Sequence, residues 1–149
     1  MLRKVAAGLV GLGLISGAGK VVYDKNGDAV VKITDRKTGK VQTVHINSVH
    51  GKSYSCSSGA SSKLQAYDIE EGRIKLTLLQ VRARERKIER QYSGSVAPHA
   101  VVVRYKALNS RDDRLVSAYN KEVEAHNAIL GHQCTTNCGR RPGGEGRPG

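Results

Sequence analysis

The stretch Asp68–Tyr92, DIEEGRIKLTLLQVRARERKIERQY, decides how this chain folds. Ile74, Leu78, Val81, Ile88 and Tyr92 recur at steps of four and three, with Glu85 the one charged intruder. That period puts them on one face of a helix. A strand over Ile74–Leu78 would also alternate, but the charged run Arg82–Arg90 carries the pattern too far for an ordinary strand. Asp68-Ile69-Glu70-Glu71 has the form of a capping box, the Asp oxygen accepting an orphan amide and Glu71 reaching back, so a helix start at Asp68 is expected. Gly72 works against the helix.

After it, Ser93-Gly94-Ser95-Val96-Ala97-Pro98 breaks the helix and offers proline to the first turn of another. A second stripe follows through Val101, Tyr105, Leu108, Leu115, Tyr119, His126 and Ile129 or Leu130, with Asp112 in the seam and Gly131 as the stop. Such a helix is a rod of roughly 45 Å. Two long helices on so short a link are expected to lie antiparallel, each hiding its stripe on the other, as a helical hairpin over residues 62–131.

Before the hairpin, residues 19–50 read as a β-meander. Val21-Val22-Tyr23, Ala29–Thr34 and Val41–Ile46 are β-branched or alternating runs, separated by Asp24-Lys25-Asn26-Gly27-Asp28 and Asp35-Arg36-Lys37-Thr38-Gly39. The wording YDKNGDAVVKITDRKTGKV, Tyr23–Val41, resembles one unit of a YD-type repeat from large secreted bacterial proteins. It occurs once, and the resemblance implies hairpin pairing with no function attached. Asn47–Ser62 is a polar loop holding Cys56. The fold class is therefore α+β: a short three-stranded antiparallel meander, then a long antiparallel two-helix hairpin, in one small domain over residues 19–138. From Gly139 the tail GRRPGGEGRPG has no apolar content, and residues 139–149 read as a disordered basic end.

The cysteines fit the hairpin. Cys56 stands 40 residues before Val96 at the turn, and Cys134 and Cys138 stand 38 and 42 residues after it. In an antiparallel pair all three belong at the open end, so a disulfide from Cys56 to Cys134, or alternatively to Cys138, would close it. Cys134 lies nearer the helix end and is preferred. The third cysteine is left for a thiol or for a link to a second copy in a homodimer. The competing use of these residues is a zinc site from His132, Cys134, Cys138 and Cys56, which needs free thiolates and is favoured by a reducing compartment.

Compartment is read from Met1–Ala18, MLRKVAAGLVGLGLISGA: a basic head at Arg3 and Lys4, an apolar run Val5–Ile15, then small residues. That is the order of parts in an export signal, with a cut expected after Ala18 and a secreted, periplasmic or envelope destination. The apolar run is too short for a membrane span. The 131 residues that follow suffice for one domain. They contain no Phe or Trp, so the core is thin and a covalent staple is favoured.

With 25 Lys+Arg against 13 Asp+Glu, the formal charge is +12. The excess predicts attraction to polyanions. Arg82, Arg86 and Arg90 recur every fourth residue and form a candidate anion-binding ridge, without interleaved aromatics for base stacking. His126 is read as a polar-tipped packing residue on the second stripe, and His45 as part of a strand face. No nucleophile-and-base constellation or pair of carboxylates in an apolar pocket is legible, so no catalytic residue and no cofactor is expected. The expected role is a non-enzymatic extracellular or envelope module that binds an anionic polymer or a protein. The alternatives are a cytosolic, zinc-supported nucleic-acid-binding protein and a secreted inhibitor or toxin-like factor.

Overall fold

The structure, a computed structural model, describes residues 13–25, 27–46 and 54–136. Three strands, β1 (Gly19–Tyr23), β2 (Ala29–Thr34) and β3 (Val41–Ile46), form an antiparallel sheet in the order β1-β2-β3. β2 and β3 match the expected runs end to end. Asp35 builds the turn between them: its Oδ1 accepts from the Lys37 and Thr38 amides, while Gly39 takes the positive φ of +74° that closes the loop. Val31 stands opposite Val21 and Val44, which puts all three on one face. Ala29, Val31, Ile33, Val44 and Ile46 are buried there.

Helix α1 (Ser58–Gln91) lies across that face, and α2 (His99–Gln133) returns antiparallel to it. Leu76 and Ile69 of α1 complete the sheet core. Gly72 is the point of closest approach, since a methyl there would stand 2.5 Å from the Val31 Cβ. The residue that weakens the helix locally is the one that lets it settle on the sheet. Toward α2, Ile74, Leu78 and Val81 pack with Leu115 and Ala118. At the open end, Ala60 and Leu64 meet Leu130 and Cys134, with Tyr54, Cys56 and Ile129 against them.

Two expectations are corrected here. Helix α1 starts at Ser58, ten residues before Asp68 and four before the expected edge of the hairpin, because the Ser57 side chain caps it by accepting from the Ala60 amide at 3.2 Å. Asp68 and Glu71 are therefore interior helix residues, not a capping box. In addition, the stretch expected as loop contains a short strand, β4 (Tyr54–Cys56), antiparallel to β5 (Cys134–Thr136) beyond α2. Helix α2 consequently runs past Gly131 to Gln133.

Cys56 pairs with Cys134 in this ladder, and the two are joined as a disulfide. Their Cα–Cα distance of 4.4 Å is that of a directly opposed, non-hydrogen-bonded antiparallel pair, where side chains approach most closely. The bridge closes the hairpin where the spacing argument put it.

Residues 13–18 are packed into the domain. Ile15 is buried in the sheet core and Leu14 packs against the interhelix cluster. The Ile15 amide donates to Thr77 Oγ1, and Arg73 donates to the carbonyls of Ile15 and Gly17 at 3.0 and 2.9 Å. The Thr34 and Arg36 amides of the sheet edge donate to Ala18 and Ser16. The expected cut after Ala18 falls at the end of this packed segment and would remove every one of these contacts.

Candidate functional site

Two regions carry unusual chemistry. The first is internal. Asp68 and Glu71, one turn apart on α1, face His126 on α2, with Glu122 one turn before it on the same side. Asp68, Glu71, Glu122 and His126 are 0, 1, 3 and 4 % exposed, although carboxylates rarely reach such depth. His126 Nδ1 stands 2.9 Å from Glu71 Oε2 and 3.6 Å from Asp68 Oδ1. The Tyr23 hydroxyl donates to Asp68 Oδ2 at 2.6 Å, and the Tyr67 ring stacks on the imidazole.

The electrostatics of this centre follow from its burial. Desolvation disfavours imidazolium, but the Glu71 hydrogen bond and the charges of Glu71 and Asp68 outweigh it, holding the His126 pKa above its ordinary value. Burial first, then the Asp68 carboxylate, drives the Tyr23 phenol far above its usual range. Tyr119 is raised by burial and by the same two acids. The expectation that no carboxylate pair occupies an enclosed site is thereby overturned. The reading of His126 as a packing residue is incomplete, since the ring also joins the two helices through polar atoms. With its four acid and imidazole groups buried, the centre can hold a proton or a cation but offers no open face to a substrate.

A second polar group lies in the interhelix seam. Arg82 grips Asp112 with two bonds, Nε to Oδ2 at 3.0 Å and Nη2 to Oδ1 at 3.3 Å. This pulls the Asp112 pKa down, and the neighbouring Glu85 acts in the same direction. Burial, followed by Asp112 and Glu89 and opposed by Arg82, pushes Glu85 up to about 7. Because its folded pKa exceeds the unfolded value, Glu85 contributes stability that is complete below about pH 4.5 and lost as pH rises through about 7. We expect Glu85→Gln to leave stability at pH 5 nearly unchanged. At pH 8 it should raise stability by on the order of 1 kcal/mol. Urea unfolding at both pH values checks this.

The expected ridge is divided by that pairing. All three arginines are exposed, but Arg82 is paired with Asp112 while Arg86 and Arg90 point into open solvent-facing positions of the arm. From Arg86 to Ala100 no residue is buried, so the distal hairpin is a bare arm. Between Arg84 and Lys106 it carries six exposed cations, Arg84, Arg86, Lys87, Arg90, Arg104 and Lys106, against one exposed acid, Glu89, which accepts from the Tyr105 hydroxyl. At the base of the arm is a cleft of about 820 Å³ whose lining includes Asp35, Lys37, Arg84, Arg111 and Gly13–Ser16. Burial and then repulsion from Arg84 and Arg114 lower the Arg111 pKa, a sign of crowded positive charge.

In this structure the Cys56 and Cys134 sulfurs are bonded to each other, so they are not the thiolates that the alternative zinc set needs. His132 is exposed beside them. Cys138, the proposed link for a homodimer, and the tail 139–149 lie outside the described residues. No helix among the described residues is long and apolar enough to cross a membrane. Comparison with known proteins yields no match to this chain, whether by family, by curated sequence or by solved structure.

Proposed function

We propose that this chain is an exported, non-enzymatic binding module that holds anionic polymers along its basic helical arm. The observation that carries the proposal is the segregation of charge: six exposed cations against one exposed acid between Arg84 and Lys106, around a tip in which no residue from 86 to 100 is buried. Neutral solubility would be served by mixed charge, whereas clustering one sign on a thin projection builds a field that attracts polyanions. The disulfide supports an oxidising compartment, and the basic-then-apolar head of the chain supports export. The packing of Gly13–Ala18 supports a revised boundary in which these residues stay with the exported domain.

Binding through exposed arginines is counterion release, so it weakens with salt in proportion to the charges engaged. For duplex DNA as a calibrated polyanion, Arg86→Ala/Arg90→Ala should reduce the log–log salt slope by about two. Polyphosphate binding should weaken in parallel. Arg82→Ala should leave the slope unchanged, because that guanidinium is held by Asp112. A salt titration followed by fluorescence anisotropy reads all three. Equal slopes in the wild type and the double variant would remove the arm from the binding surface.

A further inference from the structure

The buried acids and histidine meet a geometric condition that ordinary hydrogen-bonded pairs do not. One atom each from Asp68, Glu71 and His126 can be chosen so that all three lie within 4.8 Å of one another. Glu71 Oε2 and Asp68 Oδ1 are 2.9 and 3.6 Å from His126 Nδ1. Around a tetrahedral Zn²⁺ ion with bonds of 2.0–2.2 Å, ligand atoms stand about 3.3–3.6 Å apart. Those two separations therefore already bracket the edges of a coordination polyhedron, and the ligands come from two helices that pack rigidly on each other.

The surroundings hold the donors in place. Tyr23 donates to Asp68 Oδ2, so the other oxygen, Oδ1, faces the imidazole. The Tyr67 ring lies 6.5 Å from that of His126, centroid to centroid and nearly parallel, which limits rotation of the imidazole. Partners of this kind orient metal ligands and raise their affinity. The donor set has two carboxylate oxygens and one nitrogen with no sulfur, which suits Zn²⁺ or Mn²⁺ and not a soft ion. Charge agrees as well. A divalent ion with two carboxylates and a neutral imidazole is electrically neutral, the condition under which charge is tolerated in an apolar interior.

We propose that Asp68, Glu71 and His126 form a buried zinc-class metal site that ties α1 to α2 between the disulfide and the basic arm. The site is structural in character, since all of these side chains are enclosed. It is distinct from the cysteine-based set that the sequence suggests, and its ligands are compatible with an oxidised chain.

The test uses the full-length oxidised protein, stripped with a chelator and titrated with Zn²⁺ and, as a spectroscopic probe, Co²⁺. One equivalent of Zn²⁺ should bind with a rise in Tm, and Co²⁺ should give visible d–d bands. Glu71→Gln and His126→Gln should abolish both, while His132→Gln should change neither. Tyr23→Phe leaves all three ligands in place, so it keeps the test valid if the ligand variants fail to fold, and it should weaken Zn²⁺ affinity by about tenfold. Absence of stoichiometric binding to the wild type would overturn the site. So would binding that survives Glu71→Gln and His126→Gln, or that disappears in His132→Gln alone.

Discussion

Replacing Cys56 and Cys134 by serine is expected to lower the stability of the oxidised protein by about 4 kcal/mol. The bridge spans 78 residues of sequence, almost the whole hairpin, so in the unfolded chain it closes a long loop and removes much of its freedom. The folded state gives up little in return, because Cys56 and Cys134 already stand opposite each other in the β4–β5 ladder. That two-stranded ladder is too small to persist alone. Loss of the bridge should therefore fray β4 and β5 and loosen the cluster of Ala60, Leu64 and Leu130 before it affects the arm. Urea unfolding gives the total, and amide exchange gives the order of loss. An unchanged urea midpoint would mean that the bridge is incidental to the fold.

Deleting residues 1–18 is expected to cost a further 2–4 kcal/mol relative to a chain beginning at Gly13, an order-of-magnitude balance of lost contacts against recovered chain entropy. Ile15 leaves the sheet core, and the half-buried Arg73 guanidinium loses two carbonyl acceptors. Charged groups deprived of partners at partial burial are the costly part of that change. Gly17 shows how closely the segment fits: its φ is +129°, and a methyl there would stand 1.8 Å from the Thr34 carbonyl oxygen. Only glycine permits this approach. The two chains should be compared by urea unfolding in the same oxidised state. Equal stability would restore the boundary after Ala18 and remove Leu14–Ala18 from the account of the core.

Much of the architecture was legible because it rests on local periodicity. The strands Ala29–Thr34 and Val41–Ile46 alternate between turns that need Asp and Gly, so their ends could be read directly. The two helical stripes fixed the hairpin, and equal distances from Val96 located the clamp. The start of α1 escaped because Ser58–Gln65 is mostly polar. Its signal was the pair Ala60 and Leu64, four apart, behind a serine cap.

The buried centre was hidden for a different reason. Acids on a helix ordinarily face water, and Asp68–Glu71 matched a capping motif that explained them locally. What marked them as internal was the relation between two helices: an acid pair at three-residue spacing on one, and Glu122 with His126 at four-residue spacing on the apolar stripe of the other. That relation exists only once the hairpin register is known. The run Leu14–Ala18 poses the opposite difficulty. The small residues that suit a cleavage site also suit close backbone pairing with β2, and the sequence pattern does not distinguish the two uses.

The basic arm and the enclosed centre are consistent with a division of labour along one hairpin. The disulfide and the acid–histidine centre hold the sheet-bound half, while the distal half projects its cations. The central claim is that the hairpin is closed covalently at its open end. A non-reducing peptide map of the full-length protein checks this. The expected result is one linked pair of peptides joining Cys56 to Cys134, Cys138 outside that link, and an N-terminus at or before Gly13. Three thiols that alkylate without reductant, or a bridge from Cys56 to Cys138, would contradict it.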